Sequence, residues 1–229
     1  MQLAGARTLV VGGTGALGTA LARTLRDHDA RLVLTGRSRL PDHVEGVEAT
    51  ISLDLLDLDA ARGAVTEAAD RLGGLDLVVV ATGVAAFGAA AETSDEVAEE
   101  LFAVNTLGPM AVLSAAVPAM SDGGVLVAVS AVLADAPMAG MAAYSASKAG
   151  LSAYLTALRR EVRRHGVTVL DARPPHMETG LADRAISGTP PRLPAGHDVD
   201  DFVALLVEAI RAGARELVWD PGEKALALR

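Results

Sequence analysis

The sequence contains no cysteine, few aromatic residues and no excess of positive charge, and each absence excludes a class of chemistry. Without cysteine the chain forms no disulfide and has no thiolate to act as a nucleophile or metal ligand. A net charge of -9 argues against nucleic-acid binding, which needs a basic surface to displace counterions from phosphates. Aromatic residues make up 3% of the chain, so alanine, valine and leucine have to build the core.

Long apolar runs are also absent, because Gly, Asp or Pro interrupts each one well short of the ~20 residues that span a membrane. The first residues lead into an apolar strand without a basic segment and a long apolar stretch, so no targeting signal is visible. We therefore expect a cytoplasmic protein whose partners include neither a membrane nor nucleic acid.

Short β-branched runs alternate with longer Ala- and Leu-rich segments of helical period, which is typical of repeated βαβ units. The predicted strands cover residues 8–11, 31–35, 49–53, 75–80, 125–129, 167–170 and 217–219. The predicted helices cover residues 16–27, 59–72, 94–105, 107–120, 143–165 and 199–212. No repeat or linker divides residues 1–229, so we predict one domain: an α/β, Rossmann-type, doubly wound three-layer sandwich with a seven-stranded parallel sheet.

One long irregular stretch, residues 174–197, contains five prolines and several glycines. Inside a compact domain a connection of this length is usually a functional lid or a mobile segment. Because it follows the sixth predicted strand, we predict that it forms a lid over the substrate.

The first predicted strand leads into a glycine-rich turn, Gly12-Gly13-Thr14-Gly15-Ala16-Leu17-Gly18, and then into a helix. Glycines at such a turn let the backbone approach a pyrophosphate, whose charge then lies at the positive end of the helix. The alternative is a tight strand-to-helix turn that binds nothing. Its position directly after the first strand favours dinucleotide binding.

The second predicted strand ends at Gly36 and is followed by Arg37. An acidic residue at this tip would hold the two ribose hydroxyls of NAD. A guanidinium instead offers a planar fork of donors to a 2′-phosphate, and no carboxylate is present to repel that charge. We therefore predict that NADP(H) binds here through Arg37. The alternative is that Arg37 and Arg39 are ordinary solvated cations.

Tyr144 and Lys148 lie in a strongly helical segment, so both project from one face, one turn apart. A phenol titrates near ~10 in water, and an adjacent ammonium favours its anion. Tyr144 could then donate a proton to a carbonyl oxygen, or accept one in the reverse reaction, while Lys148 also holds a ribose. The alternative for such a pair is an ordinary amphipathic helix surface.

Several motifs together resemble the short-chain dehydrogenase/reductase family over almost the whole chain. They are the glycine-rich turn, Ala81-Thr82-Gly83 after the fourth strand, Val104-Asn105-Thr106, the run from Ala142 to Leu151 around Tyr144, and the run from Pro174 to Thr179. The resemblance implies an NADP(H)-dependent oxidoreductase. It also implies a homo-oligomer, paired through the helices at 107–120 and 143–165.

The resemblance also assigns roles to single residues. Asn105 would kink its helix and support a water that links Lys148 to solvent, unless it is only a polar helix break. Thr179 would bind the nicotinamide carboxamide, unless it is simply a loop hydroxyl, and Asp54 would lie near the adenine, unless it caps the following helix. The implied cofactor contacts are Gly12, Thr14, Gly15, Leu17, Gly18, Arg37, Asp54, Leu55, Ala81, Gly83, Tyr144, Lys148, Pro174 and Thr179.

The chain departs from the family at the serine that lies thirteen residues before the tyrosine, where it has Ala131. Ser130 precedes it and is our candidate for the fourth catalytic residue, beside Tyr144, Lys148 and Asn105. Neighbouring strand residues point to opposite faces, so Ser130 reaches the site only if the strand end is distorted. Losing one oxyanion donor costs ~10² to 10³ in rate, which weakens a reductase without abolishing it.

Two functions remain open. The first is an NADPH-dependent carbonyl reductase, or the reverse alcohol dehydrogenase, that acts on a small or medium apolar ketone or alcohol. The second is an NADP(H)-binding regulatory or weakly active protein that lacks the usual catalytic serine. The predicted pocket residues are Ala85, Ala86, Phe87, Val132, Leu133, Met138 and Met141.

Overall fold

A computed structural model describes residues 1–37 and 46–229, and its centre is a twisted sheet with helices on both faces. Within that part of the chain the sheet has eight strands, in the order β3-β2-β1-β4-β5-β6-β7-β8. All neighbours pair in parallel except β7 and β8. The strands are β1 (Arg7–Val11), β2 (Arg31–Gly36), β3 (Ala49–Ser52), β4 (Leu75–Val80), β5 (Met120–Val129), β6 (Thr168–Arg173), β7 (Glu216–Asp220) and β8 (Ala225–Leu228).

The eighth strand corrects the predicted seven-stranded parallel sheet. The Asp220 carboxylate accepts hydrogen bonds from the backbone N–H groups of Gly222 and Glu223, which closes a tight turn after β7. The chain then runs back along β7 as an antiparallel edge strand of four residues. An antiparallel strand at the edge of a parallel sheet is common in this fold class, so the doubly wound architecture is confirmed.

Six α-helices cover the sheet in the part of the chain described. They are α1 (Ala16–Asp27), α2 (Leu58–Leu72), α3 (Asp95–Phe102), α4 (Gly108–Ala116), α5 (Ala142–Val162) and α6 (Val199–Ala212). The two helices predicted over 94–120 are one continuous helical path, because a π-helical turn, Ala103–Leu107, joins α3 to α4. The path closes with a short 3₁₀ turn, and β5 begins at Met120, five residues before its predicted start.

The core is aliphatic, as the composition predicts. One layer packs α2, α4 and α5 against the sheet, and the opposite layer packs α1 and α6. Strands β1, β4 and β5 are buried almost throughout their aliphatic parts, which explains their continuous runs of valine and leucine. Phe202 on α6 is the one aromatic side chain among the largest fully buried side chains described.

The helical path Asp95–Ala119 is apolar and long enough, by length and composition, to cross a membrane. Half of its most apolar window is nevertheless buried within the fold, where α4 contacts α2 and the sheet. The same path carries the buried Asn105. Core packing therefore accounts for the apolar character of this path.

The order of the strands reverses between β1 and β4, since β2 and β3 lie to one side of β1 and the later strands lie to the other. In open α/β sheets the crevice for ligands forms at such a switch point, outside the carboxyl ends of the strands. The glycine-rich turn after β1 and the loop after β4 therefore lie side by side at this edge.

Candidate active site

The glycine-rich turn is shaped by contacts that tolerate no side chain at two positions. Gly12 has φ +93°, and a methyl group there would lie 2.8 Å from the Thr82 methyl carbon. A methyl group on Gly18 would collide with the carbonyl oxygen of Gly12, which also accepts a hydrogen bond from the N–H of Gly15 at 3.1 Å. The backbone can therefore turn directly from β1 into α1.

The N-terminus of α1 is bare. Its N-cap is Gly15, no side chain caps its N–H groups, and its first turn holds no acidic residue. In contrast, Asp57 caps α2 and Asp198 caps α6, and the first turn holds one further carboxylate in α2 and two in α6. The free N–H groups and the positive end of the α1 dipole are thus available to an external anion.

The tip of β2 excludes the acidic side chain that would favour NAD. A methyl group on Gly36 would lie only 2.6 Å from the Thr14 hydroxyl oxygen, so a carboxylate there would displace Thr14. Arg37 follows Gly36, is exposed, and has no salt bridge to any residue that the structure describes. Arg39, the other cation considered for this tip, lies outside the described residues.

After β3 the two predicted cofactor contacts Asp54 and Leu55 differ in exposure. Asp54 is exposed, and its carboxylate accepts the N–H of Leu56 at 3.0 Å, whereas Asp57 is the residue that caps α2. The alternative that Asp54 caps this helix is therefore wrong. Leu55 and Leu17 bury their side chains in the core, so only their backbone groups remain to contact a cofactor.

Tyr144 and Lys148 lie one turn apart in the first half of α5 and are both buried. Tyr144 packs into an apolar cluster that includes Leu101, Ala131 and Met141. Burial raises the pKa of the Tyr144 phenol to about 12. The phenol is thus fully protonated at neutral pH.

The Lys148 amine donates a hydrogen bond to the carbonyl oxygen of Val129 at 3.0 Å. Burial lowers the pKa of Lys148 to about 8, and the negative charge of Asp171 partly opposes that decrease. We expected the ammonium to lower the pKa of Tyr144, but the net shift is upward, because burial dominates at the phenol. The amine is hydrogen-bonded to Val129, the last residue of β5, and burial alone accounts for the raised pKa of the phenol.

Asn105 lies in the π-helical turn and joins three parts of the site. Its amide oxygen accepts the N–H of Val84 at 2.9 Å, and its amide nitrogen donates to Val84 O and to Ser147 Oγ, both at 3.0 Å. A methyl group on Gly83 would lie 3.2 Å from both Asn105 Oδ1 and Lys148 Nζ. The structure thus brings Tyr144, Lys148, Asn105 and Gly83 together, and π-helical turns are frequent at functional sites.

Ser130 does not join this group, which corrects its assignment as a catalytic residue. Its hydroxyl is buried and donates to the carboxylate of Asp171. The next residue, Ala131, is extended with φ -170° and packs in the cluster that contains Tyr144. Because neighbouring residues on an extended chain face opposite sides, the methyl group of Ala131 faces the apolar cluster around Tyr144 while the hydroxyl of Ser130 points away from it.

The predicted lid segment covers the pocket. The N–H of Phe87 donates to Ser187 O at 2.9 Å, and the N–H of Ile186 donates to Ala85 O at 2.8 Å. Residues of the segment that pack on the cluster around Tyr144 are Leu181, Ala182, Ala185 and Ile186. The cavity left beside Tyr144 measures about 20 Å³, which is room for one water.

The predicted pocket residues divide into three groups. Ala86, Phe87 and Met141 line the cavity, Ala85 and Leu133 pack around it, and Val132 and Met138 lie outside both sets.

At the start of the lid, Pro174 is buried and its carbonyl accepts the N–H of Val132 at 2.9 Å. Thr179 is partly buried, and its hydroxyl accepts the N–H of Leu181 at 3.4 Å, so it currently serves the lid itself.

Sequence reasoning missed a buried polar group behind the site. Asp171 and Arg173 lie on β6, and Asp171 accepts hydrogen bonds from Ser130 and Ser152. The signal was weak, because the predicted strand ended at residue 170 and these two charged residues come just after it, where charged side chains are usually exposed.

Known proteins resemble the chain in sequence and in fold. The family described as short chain dehydrogenase matches residues 6–189. An uncharacterized oxidoreductase of Myxococcus xanthus is 33% identical over 232 residues, which cover 96% of this chain and 89% of that protein. Dehydrogenase/reductase SDR family member 7B of Bos taurus is 31% identical over 195 residues, and the match spans 78% of this chain but only 60% of the bovine protein.

A solved structure shares the architecture closely. A short chain dehydrogenase from Burkholderia cenocepacia J2315, crystallised in complex with NADP, superimposes with a TM-score of 0.83 at 25% identity. The superposition covers 94% of this chain and 88% of the other.

Proposed function

Because the chain belongs to the short-chain dehydrogenase family, we propose that it is an NADP(H)-dependent oxidoreductase that interconverts a small or medium apolar ketone and its alcohol. The observation that carries this proposal is the buried phenol of Tyr144, one helical turn from the Lys148 amine, which lies against Gly83 in the loop that also contacts Gly12. A proton donor in an apolar pocket next to an anion-binding turn fits the reduction of a carbonyl.

Residues on both sides of the switch point fit an NADP(H) molecule. The bare N-terminus of α1 and the turn from Gly12 to Gly18 suit the pyrophosphate, and Arg37 suits the 2′-phosphate. Gly83 carries no side chain that would crowd the Lys148 amine, which suits a ribose held by that amine, and the buried hydroxyl of Thr82 has no partner among the described residues. When bound, the dinucleotide supplies the hydride.

The protein supplies the proton. Tyr144 donates it to the carbonyl oxygen, and the ammonium of Lys148 favours the phenolate that remains. Asn105 ties the loop after β4 to α5, so it fixes the distance between the cofactor side and the phenol. The surrounding apolar side chains exclude bulk water from the reacting oxygen.

The apolar side chains around the phenol support a substrate with an apolar body. The lining of the pocket includes Ala86, Phe87, Val97, Leu101 and Met141, with Glu92 and Thr93 at one side. The cavity of about 20 Å³ is smaller than a ketone, and Ser187 of the segment 174–197 lines it, which supports movement of this segment when a substrate enters. Such movement is expected of a lid whose opening precedes turnover.

A second candidate is a weakly active or regulatory NADP(H)-binding protein. Ala131 favours it, because a methyl group stands where a hydroxyl would orient the substrate oxygen, and Ser130 is engaged elsewhere. The intact set of Tyr144, Lys148 and Asn105 favours the reductase.

NADPH oxidation with a panel of aliphatic and aryl ketones separates these candidates. The reductase proposal expects saturable turnover with at least one ketone and a loss of at least about 10²-fold in kcat with Tyr144→Phe. Tight NADPH binding without turnover of any ketone would overturn it in favour of the regulatory candidate.

We also propose that two copies pair through the surface formed by α4 and α5. Phe102 and Leu107 next to this surface are large apolar side chains exposed by 37% and 46%. Light scattering on the protein as it elutes from a size-exclusion column should give a mass of at least two chains. The substitution Leu107→Glu should reduce that mass. A monomer at micromolar concentration would contradict this pairing.

A further inference from the structure

A polar cluster is buried between α5 and the strands β5 and β6. Its centre is the Asp171 carboxylate, which is 2% exposed and accepts hydrogen bonds from the hydroxyls of Ser130 and Ser152. We call these three residues the Asp171 cluster. A carboxylate this deeply buried is costly to keep ionised, so we asked which contact explains its presence at this position.

Pairing with Arg173 does not explain it. Arg173 contacts the carboxylates of Asp135 at 2.8 Å and Glu216 at 2.7 Å, whereas Asp171 lies 3.6 Å from its Nε atom. The Nε atom of Arg173 has no hydrogen-bond partner among the described residues. The two better-placed carboxylates already neutralise the guanidinium, and Asp171 directs its oxygens at the serines.

The Asp171 cluster is attached to Lys148 at two points. Ser152 follows Lys148 by one turn on the same face of α5, and Ser130 follows Val129, whose carbonyl oxygen accepts the Lys148 hydrogen bond. The two hydroxyls therefore tie the carboxylate to the residue after Val129 and to the turn of α5 after Lys148, and the charge of Asp171 acts on the amine. In chemical terms, a fixed carboxylate near a buried amine favours its ammonium form.

We propose that Asp171 is a positioning residue for Lys148, and that the Asp171 cluster keeps the buried amine protonated at neutral pH. The consequence for catalysis rests on the proposed reductase function, because proton donation by Tyr144 needs the ammonium beside it. The protonation of Lys148 itself does not depend on that function.

The groups that face both residues are consistent with this role. Burial lowers the pKa of Lys148, and the charge of Asp171 raises it again. Burial raises the pKa of Asp171, while the hydrogen bonds of Ser130 and Ser152 lower it, Arg173 lowers it and Glu216 raises it. The other side chains packed near the amine, Tyr144 from α5 and Asn105 from the π-helical turn, are neutral at pH 7.

The composition of the chain makes the test direct, since the sequence has only two lysines, Lys148 and Lys224. Protein labelled with ¹³C at the lysine ε carbon gives two signals, which Lys224→Arg assigns. In the parent, the Lys148 signal should titrate near pH 8. In Asp171→Asn the Lys148 midpoint should move to lower pH by about 1 unit.

Asp76→Asn is the matched control. Asp76 is also a strand carboxylate that contacts an arginine and a serine, Arg7 and Ser121, but it lies at the amino ends of the strands. The control should leave the Lys148 midpoint unchanged. Asp171→Ser serves as a second neutral variant if Asp171→Asn does not fold, and the same decrease is expected. An unchanged Lys148 midpoint in a folded Asp171 variant would overturn the proposal.

A kinetic measurement adds a readout that a merely structural role would not move. The decrease of kcat/KM at alkaline pH should begin at lower pH in Asp171→Asn than in the parent, and acidification should restore most of the lost activity. A loss that is equal at every pH would contradict the positioning role. If the parent reduces no ketone, the proposed function fails, while the lysine titration still decides the role of Asp171.

Discussion

The two halves of the carboxyl edge of the sheet differ in how they meet a ligand. We call the edge formed by β1 to β3 the cofactor half. It presents glycines, backbone N–H groups and one exposed arginine to a ligand. At β4 to β6, which we call the chemical half, buried polar side chains are held by hydrogen bonds inside an apolar cluster. Phosphate binding and proton transfer are therefore separable, and substitutions that affect one should leave the other largely intact.

Removing the phenol should have the largest effect. Tyr144→Phe deletes the proton donor and should lower kcat by about 10²- to 10⁴-fold. Because the hydroxyl takes no part in phosphate binding, the NADPH dissociation constant from a fluorescence titration should stay within about twofold. A parent-like rate on an authentic substrate would mean that the proton comes from another group.

The pH dependence should report Lys148. With a pKa lowered to about 8, the amine loses its proton within the accessible range, and the rate of ketone reduction should decrease as pH rises through about 8. Below that pH the ammonium is present and this decrease is absent. Initial rates between pH 6 and pH 10, in buffers of constant ionic strength, provide the test. A rate that is constant up to pH 10 would exclude Lys148 as the group concerned.

Restoring the missing hydroxyl should improve the chemical half. Ala131 packs beside Tyr144, so Ala131→Ser should raise kcat/KM on a simple ketone by up to ~10²-fold, the worth of one oxyanion donor. Ser130→Ala is the neighbouring control and should change the rate much less, since its hydroxyl faces Asp171. A large loss in Ser130→Ala together with no gain in Ala131→Ser would show that the strand end rearranges.

In the cofactor half, Arg37 should set the choice between the two dinucleotides. NADPH should bind more tightly than NADH, and Arg37→Ala should reduce the difference by roughly tenfold, the value of a charge-assisted hydrogen bond. The paired control is the NADH affinity, which should not change. Equal affinities for the two dinucleotides in the parent would contradict this assignment.

We expect the smallest change in NADPH affinity from a substitution at the uncapped N-terminus of α1. Ala16→Glu places a carboxylate in the first turn, and the repulsion of a bound phosphate should weaken NADPH binding by about two- to fivefold. Ala60→Glu on the already capped α2 is the matched control and should leave the affinity unchanged. Tighter binding of NADPH to Ala16→Glu would show that the phosphates lie elsewhere.

Much of the cofactor half can be predicted from sequence because its signals are local. The bounds of α1, at residues 16 and 27, agree with the prediction, since glycines and helical periodicity are encoded next to the turn that they form. The π-helical turn at Asn105 was implied only as a kink, because propensity cannot distinguish one extra residue per turn.

The chemical half depends on the direction of side chains, which spacing alone does not determine. Whether Ser130 or Ala131 faces Tyr144 depends on the register of β5 and on the distant Asp171, 41 residues away along the chain. The burial of the lid segment against Ala85 and Phe87 is likewise a long-range contact. These parts of the site could not be derived without the fold.

The most direct test of the division into two halves is a crystal structure with NADP⁺ bound. We expect the pyrophosphate on the N–H groups at the start of α1, the 2′-phosphate on Arg37, and Lys148 on the nicotinamide ribose. The Tyr144 hydroxyl should then lie within reach of a ketone whose carbon is about 3 to 3.5 Å from the reactive ring carbon. A pyrophosphate bound away from Gly12 to Gly18, or a nicotinamide remote from Tyr144, would contradict the account.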